Sequence, residues 1–165
     1  MKIKRILDLL EFSIHSPREG LPEEIFLFVS RITPLINVDL LIKEEGRTLL
    51  TWRDDEYCKT GWHVPGGIIR FKEPYAVRIE TVAREELDTV VTFDPSPVGI
   101  HEIIHPLRKT RGHFISLLFR CTLLKPLNQE RKYNSDNPQI NQWKWHDACP
   151  ENMIEVHKIY KGYMS

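Results

Sequence analysis

Gly-Trp-His-Val-Pro-Gly-Gly-Ile-Ile-Arg-Phe-Lys-Glu, residues 61–73, leads into a helical pattern that carries Arg84, Glu85 and Glu86. Two glycines after a short apolar strand let the backbone approach a bound ligand closely. The next helix places two adjacent carboxylates beside that turn, and hard divalent cations prefer such oxygen ligands. The combination predicts metal-assisted chemistry on a diphosphate.

The helix after this turn is predicted from the spacing of its apolar residues. With Pro74 at the first helical position, where its missing amide costs little, they fall on one stripe. The stripe consists of Ala76, Ile79, Ala83, Leu87 and Val90. Glu86 lies at its edge and Glu85 on the same flank, so both carboxylates can reach one site. Adjacent carboxylates repel each other unless a cation or a proton lies between them. A metal site is the favoured interpretation, and an ordinary solvated helix end is the alternative.

This segment resembles the Nudix box, whose pattern is Gly-x5-Glu-x7-Arg-Glu-apolar-x-Glu-Glu-x-Gly-apolar. The residues that fit the pattern are Gly67, Glu73, Ala83, Glu85 and Glu86. Thr81 stands where the pattern has Arg, Val82 where it has the first helix Glu, and Asp88 where it has Gly. The resemblance implies an α/β (α+β) fold, an α/β/α sandwich with a mixed sheet, and the activity of a Nudix-type hydrolase.

An apolar residue at the position of Val82 is a feature of one branch, the GDP-mannose mannosyl hydrolases. The resemblance to that branch covers about residues 34–145. It implies a magnesium site, with manganese as the alternative ion, and two substrate contacts. By position, the metal ligands would be the Gly66 carbonyl, Glu86 and Gln139, and the substrate-binding residues would be Asp39 and Arg53. Glu85, which the full Nudix pattern also has, is a further candidate ligand.

Two departures from that branch concern catalysis. Ile140 stands where those enzymes have a His base, and it cannot accept a proton. Ile68 and Thr81 stand where they have arginines that bind the diphosphate. Arg70 or Arg78 is the predicted substitute. Arg78 lies one turn before Val82, where a guanidinium can hold a phosphate in bidentate fashion, and a surface salt bridge is the alternative for it.

Other side chains are candidates for roles that these departures leave open. Glu85 is the predicted catalytic base. His113, at a position where the mannosyl hydrolases also carry a His, is the second catalytic candidate, by contact with the substrate, and a structural strand-end His is the alternative. Tyr57, in a polar loop, is a candidate for stacking on a nucleobase.

Composition bounds the kind of protein and its partners. The chain has 165 residues, of which 41% are hydrophobic and 28% charged, and its 23 basic residues balance 23 acidic ones. The absence of a basic field argues against a nucleic acid polymer as partner and favours a small-molecule nucleotide. Cys58, Cys121 and Cys149 are odd in number and widely spaced, which predicts reduced thiols and a cytoplasmic location.

The chain divides into two parts by pattern. Residues 1–33 are predicted as a helical segment, part of the same domain or of a dimer interface, with no secretion signal or membrane span. Residues 34–165 are predicted as the hydrolase domain. Strands are expected over 35–43, 47–53, 62–64, 97–104, 114–124 and 142–146, and a closing helix over 150–160. In the resembling branch the N-terminal segment helps to build a dimer, so the resemblance implies a homodimer.

Three functions fit these residues. The preferred hypothesis is a magnesium-dependent hydrolase of a nucleotide sugar similar to GDP-mannose, which releases nucleoside diphosphate and free sugar. The second is a conventional pyrophosphohydrolase that attacks phosphorus. The third is a nucleotide-binding module that has lost turnover; Val82 and Ile140 favour it, and the retained Glu73, Glu86 and Gln139 oppose it.

Overall fold

The structure, a computed structural model, describes residues 2–54 and 60–164. Tyr57 and Cys58 therefore lie outside the described residues. Strand β1, Leu35–Glu44, is the centre of the fold, because it pairs with three other strands along its length. Its run of buried residues on both faces is typical of a strand with a parallel neighbour.

Seven further strands complete the sheet. They are β2 (Arg47–Arg53), β3 (Gly61–His63), β4 (Gly66–Ile68), β5 (Val91–Phe93), β6 (Gly99–Ile104), β7 (His113–Leu123) and β8 (Trp143–His146). Strands β1 and β7 are parallel, and the other pairings are antiparallel, in the order β3-β2-β1-β7-β5 with β4, β6 and β8 paired to β1, β7 and β2. The predicted mixed sheet is confirmed. Strands β4 and β5 were not predicted, since three residues are too few to show a period.

Helix α3, Tyr75–Leu87, follows the glycine turn as predicted, with Pro74 as its extended N-cap instead of its first helical residue. The helix ends at Asp88, whose φ of 52° lies in the left-handed region. The Nudix pattern has Gly there; Asp also tolerates this conformation, and its carboxylate accepts a hydrogen bond from Asn128 Nδ2 at 2.8 Å. Because the helix stops here, Val90 is exposed and does not extend the apolar stripe.

The sheet has a core on each face. One core lies under α3 and contains Val38, Leu40, Ile42, Ile79, Val82, Ala83, Leu87 and Phe119. The other lies under the C-terminal segment and contains Leu41, Leu50, Trp52, Trp62, Leu118, Tyr160 and Met164. Each fully buried Leu or Ile contributes about 1.5–3 kcal/mol to the free energy of unfolding. The two cores fix the sheet between α3 and the C-terminal segment.

The C-terminal segment, Glu155–Tyr163, is a 3-10 helix, so the α-helix expected over 150–160 is corrected in type and position. In a 3-10 helix residues three apart lie on one face. This places His157, Tyr160 and Tyr163 in one row, and the first two of these are buried against the sheet. A repeat of three residues per turn therefore lets His157 and Tyr160 pack against the sheet from one face of the segment.

Two helices precede the sheet, both inside the segment 1–33 that is predicted to be helical. They are α1, Ile3–Ser13, in which no residue is buried, and α2, Glu23–Ile32, in which Ser30 is buried. Within residues 2–54 and 60–164, no helix is both long and apolar enough to cross a membrane. The boundary at residue 33 between the helical segment and the hydrolase domain stays a prediction.

Candidate functional site

A cleft opens between the end of β2, the glycine turn, the β6–β7 loop and the C-terminal segment. Residues from these four parts and from β1 and β3 line it, including Asn37, Asp39, Arg53, His63, Gly66, His105, Arg108, Arg111 and His157. Predicted site residues Asp39, Arg53 and Gly66 are thus brought together. The cleft joins three arginines with polar groups that can face a ligand.

Asp39 forms the floor of the cleft and is 1% exposed. Its Oδ2 accepts hydrogen bonds from Asn37 Nδ2 at 2.9 Å, from Ser116 Oγ, and from Tyr160 Oη at 2.5 Å. Burial, together with the Asp39 charge, raises the pKa of Tyr160 far above its ordinary value, so its hydroxyl stays a donor. Gly66 lies so close that a Cβ there would overlap Asp39 Oδ1, which explains the first glycine of the turn.

Glu86 lies at the junction of α3, β2 and the glycine turn. Its Oε1 accepts a hydrogen bond from the Gly66 amide at 3.4 Å, and its Oε2 accepts one from Thr51 Oγ1 at 3.2 Å. Burial raises the pKa of Glu86 to about 7, although the Gly66 amide and the charge of Arg53 act in the opposite direction. The carboxylate is therefore costly to ionise in the protein alone.

His63 is the side chain beside Glu86 that can exchange protons. Its Nε2 lies 3.7 Å from Glu86 Oε2 and 2.9 Å from Thr51 Oγ1. Burial, followed by the neighbouring His157 and Arg53, lowers the pKa of His63 well below its ordinary value. The ring is neutral at neutral pH, so it does not supply a permanent positive charge to Glu86.

Glu86 and Gly66 fit part of a metal site. A cation at Glu86 would remove the cost of a buried negative charge, and magnesium commonly takes one or two carboxylates together with substrate phosphates and water. Among the described residues, no group of three or more His, Cys, Asp or Glu side chains could hold a metal ion.

The other two predicted ligands have different surroundings. Glu85 is exposed, and its backbone carbonyl accepts a hydrogen bond from Arg131 Nη1 at 2.9 Å. Gln139 is also exposed, and its Nε2 donates to Asn137 Oδ1 at 2.9 Å. No hydrogen bond links either side chain to Glu86 in the described part of the chain. Their roles as ligands stay predictions.

Arg78 is paired inside the protein and does not line the cleft. Its Nε and Nη2 donate to the two oxygens of Glu73 at 2.9 and 2.8 Å, and both side chains are largely buried. Burial alone would raise the pKa of Glu73, but hydrogen bonds from the Arg70 amide and Arg78 lower it below its ordinary value. The geometry supports the salt-bridge alternative, here in a buried form, and gives the predicted phosphate contact no support.

Val82, at the position of the first helix Glu of the Nudix pattern, is a core residue that is 3% exposed. A Cβ on Gly67 would lie 2.8 Å from Val82 Cγ2 and 3.1 Å from Arg78 Cδ. The second glycine of the turn thus lets α3 pack directly beneath it. An apolar methyl group fills the space in which the family pattern has a carboxylate.

His113 is not brought into the cleft. Its neighbours Gly112 and Phe114 line the cleft, and successive side chains of a strand point to opposite faces. His113 Nε2 lies 3.3 Å from Glu102 Oε1 on the adjacent strand. This position agrees with the structural alternative, and the catalytic role stays a prediction without geometric support.

Sequence reasoning missed several polar residues of the cleft. Arg108 and Arg111 lie in the polar hairpin between β6 and β7, where two arginines three residues apart were a usable signal. Asn37 comes two residues before Asp39 on the same face of β1, so strand alternation could have found it. His157 gives no local signal, because the 3-10 row that places it depends on packing.

Sequence and structure comparisons identify relatives of this fold. No protein-family model matches the chain. The low-salt glycan biosynthesis protein Agl8 of Haloferax volcanii is 32% identical over 111 residues, which span 65% of this chain and 70% of that protein. An ADP-ribose pyrophosphatase of Methanocaldococcus jannaschii is 26% identical over 131 residues, 79% of this chain and 73% of that protein. The solved MutT Nudix hydrolase of Burkholderia pseudomallei has a TM-score of 0.60 at 16% identity, over 81% of this chain and 99% of that one.

The glycine turn, the helix that carries Glu86 and the mixed sheet define the fold as that of a Nudix protein. With these relatives, the chain belongs to the Nudix hydrolase superfamily. The predicted superfamily and fold class are confirmed. The narrower resemblance to GDP-mannose mannosyl hydrolases stays a prediction.

Arg78→Ala should lower the free energy of unfolding by about 2–4 kcal/mol, because it leaves the Glu73 carboxylate buried without its partner. Urea unfolding measures this change. Arg84→Ala, an exposed arginine of the same helix, is the matched control and should change stability by less than about 0.5 kcal/mol. Equal stability of the two variants would contradict the structural role of Arg78.

Glu86→Gln should change how stability depends on pH in metal-free buffer. The pKa of Glu86 is about 7 in the folded protein, against 4.5 for an unburied Glu, so the folded state holds the proton more tightly. This tighter proton binding stabilises the folded state fully below pH 4.5, the pKa of an unburied Glu. The stabilisation decreases as pH rises and is absent above about pH 7, the pKa of Glu86 in the folded protein. The free energy of unfolding of Glu86→Gln should therefore increase relative to that of the parent as pH rises, by on the order of 3 kcal/mol above about pH 7.

Urea unfolding at about pH 5 and about pH 8 tests this difference. Glu85→Gln removes an exposed carboxylate from the adjacent position and should follow the parent at both values. Parallel behaviour of Glu86→Gln and the parent would show that the buried carboxyl does not hold its proton in the folded state.

Proposed function

We propose that this chain is a divalent-metal-dependent hydrolase of a nucleotide sugar. The observation that carries the proposal is the cleft itself, which Arg53, Arg108 and Arg111 line together with Gly66, whose amide donates to Glu86. Three guanidinium groups suit a ligand with several phosphate oxygens. A substrate with a diphosphate would place its negative charge against this lining.

Magnesium is the proposed ion, with manganese as the alternative. Glu86 and the Gly66 carbonyl would hold it, and Glu85 and Gln139 are the proposed further ligands. Bound magnesium would neutralise part of the diphosphate charge and stabilise the departing group. The protein's own contribution is to keep Glu86 close to the glycine turn through Thr51 and the Gly66 amide.

The floor of the cleft supports a sugar as part of the substrate. Asn37 Nδ2 donates to Asp39, which leaves Asn37 Oδ1 as an acceptor, and this atom is buried with no hydrogen-bond partner in the described residues. Buried acceptors without a donor are rare and costly. A sugar hydroxyl can donate to Asn37 Oδ1, whereas an ionised phosphate oxygen cannot. The Agl8 relative is named for glycan biosynthesis, which agrees with a sugar-containing substrate.

Attack of water at the sugar carbon is the proposed reaction. The water oxygen forms a bond to the anomeric carbon, and the bond from that carbon to the diphosphate oxygen breaks with its electron pair on the diphosphate. The water loses its proton to a base, for which Glu85 is the proposed residue. An oxocarbenium-like transition state needs less help from a strong base, which agrees with the apolar Val82 and Ile140.

Two alternatives rest on specific observations. Attack at phosphorus is favoured by the name of the second relative, an ADP-ribose pyrophosphatase. A binding module without turnover is favoured by Val82, which replaces a family carboxylate with a core residue. The products of the reaction separate all three cases.

Hydrolysis of GDP-mannose and related nucleotide sugars in isotopically labelled water, with and without magnesium, tests the proposal. We expect magnesium-dependent release of nucleoside diphosphate, with the label in the free sugar. Label in a phosphate product would favour the pyrophosphatase alternative, and nucleotide binding without any product would favour the binding module.

Glu86→Gln is the informative variant in this assay. It should keep the fold and lose at least about 100-fold in magnesium-dependent rate, since it removes the one buried anionic ligand. Gln139→Ala should have a smaller effect, because water can replace a neutral ligand. Full activity of Glu86→Gln would rule out the proposed metal site.

We also propose a cytoplasmic homodimer. The structural support is α1, which has no buried residue and exposes Ile3, Leu7, Leu9 and Phe12 on its surface. Exposed apolar surface of this kind marks interaction sites, and a second copy of the chain would cover it. The cytoplasmic location rests on the cysteines, of which Cys121 and Cys149 are free thiols in the described residues.

Light scattering after size exclusion should give a mass of twice the 19.5 kDa of one chain. Phe12→Glu places a charge at a 91%-exposed apolar position of α1 and should shift the mass to that of one chain. Glu11→Gln, an exposed polar neighbour, is the control and should stay dimeric. A mass of 19.5 kDa for the parent protein, that of one chain, would contradict the dimer.

A further inference from the structure

The loop between β6 and β7, residues 105–112, carries much of the positive charge of the cleft. Arg108 and Arg111 are both half-buried and line the cleft together with Arg53. Lys109 of the same loop is exposed and does not line it. The loop therefore directs two of its three cationic side chains towards the ligand space.

The backbone of this loop has a closely defined shape. The His105 amide donates to the Gly112 carbonyl at 2.7 Å, and the Arg108 amide donates to the His105 carbonyl at 3.2 Å. A Cβ on Gly112 would lie 2.7 Å from the Arg108 carbonyl oxygen, so only glycine allows the end of the loop to approach the backbone at Arg108. Arg111 has a φ of 50°, a conformation that residues other than Gly, Asn and Asp rarely adopt.

Helix α2 supports Arg111 from outside the sheet. Ser30 is the buried residue of this helix; its Oγ accepts a hydrogen bond from the Arg111 amide at 3.1 Å and donates to the Leu27 carbonyl at 2.9 Å. One turn earlier, the Phe26 ring lies 5.6 Å from the Arg111 guanidinium carbon, within the range of a cation–π contact. Residues four apart share one face of a helix, so a single face of α2 contacts both the backbone and the side chain of Arg111.

We propose that residues 105–112 are the phosphate-binding loop of the cleft, and that α2 is a positioning element which holds Arg111 in place through Ser30 and Phe26. Arg108 and Arg111 bind the oxygens of a diphosphate group. The N-terminal segment is then part of the substrate site in each chain. This inference rests on the proposed function for the identity of the ligand.

Charge and geometry favour a diphosphate over other anions. Arginine offers paired donors that match the oxygens of a phosphate, and two arginines on one loop can contact two phosphates. Ile68 and Thr81 carry no charge, and Arg78 is paired with Glu73, so α3 and the glycine turn supply no arginine to the cleft. The loop and Arg53 are the sources of positive charge among the described residues that line it.

Calorimetric binding of inorganic pyrophosphate and of GDP, in buffer with a chelator, tests the loop directly. Arg108→Ala and Arg111→Ala should each weaken pyrophosphate binding about 10- to 100-fold, the range expected for hydrogen bonds to charged groups. Lys109→Ala removes the same charge from the same loop and should stay within about twofold of the parent. A parent that does not bind pyrophosphate, or an Arg111→Ala variant equal to Lys109→Ala, overturns the proposal.

Variants of α2 test the positioning role. Phe26→Leu should weaken pyrophosphate binding about threefold and raise KM with little change in kcat, because it removes only the contact that orients the guanidinium. Phe26→Tyr keeps the ring face and should restore binding. Phe28→Leu makes the same change at an exposed position of the same helix and is the control. If Phe26→Leu and Phe28→Leu bind pyrophosphate equally well, α2 has no positioning role.

The binding assay needs neither metal nor turnover, so its outcome is independent of the hydrolysis assay. Loss of pyrophosphate binding in Arg108→Ala and Arg111→Ala supports the loop even when no nucleotide sugar is hydrolysed. If Arg111→Ala hydrolyses the nucleotide sugar with an unchanged KM, the proposed phosphate-binding role of the loop is overturned and the proposed function is not affected.

Discussion

The buried carboxylate of Asp39 is the constraint on which the site depends. It lies in the central strand and accepts hydrogen bonds from Ser116 of β7 and Tyr160 of the C-terminal segment, while it also orients Asn37. Gly66 lies against the same carboxylate, where no Cβ fits. A deeply buried charge is stable only when its hydrogen bonds are satisfied. The glycine turn, the sheet and the C-terminal wall of the cleft therefore hold their positions together.

The cost of burying an unpaired charge also explains how α3 departs from its family pattern. Val82 fills the space below Gly67 with a methyl group, and Arg78 is held by Glu73. Both residues serve the packing of the helix beneath the turn. Glu86 is then the carboxylate of α3 that faces the interior beside Gly66, and its hydrogen bonds to Thr51 and the turn fix its direction. Positive charge in the cleft comes from β2 and the β6–β7 loop.

The sequence predicted those features of the structure that depend on residues close to one another along the chain. The glycine turn, the helix after it and the approach of Glu86 to Gly66 depend on residues that are close in sequence, with Glu86 only 20 positions after Gly66. For Arg78, a helical wheel shows the flank on which the side chain lies but not its buried partner Glu73 in the preceding loop, so the sequence left the phosphate contact and the salt bridge both open. Contacts between distant segments, such as Ser30 with Arg111 or Val64 with His157, leave no local period and required the three-dimensional structure.

The electrostatics of the cleft determine how a bound substrate and a bound cation would affect each other's affinity. Glu86 is costly to ionise because it is buried, and His63 beside it is neutral, so the positive charge near this carboxylate comes from Arg53 and not from a direct ion pair. The arginines, in turn, face a floor whose carboxylate already has three donors. Under the proposed function, a diphosphate would contact the arginines and a cation would contact Glu86, and each would also attract the other. Binding of the two ligands should therefore be mutually reinforcing, since each lowers the cost that the other meets in a buried site.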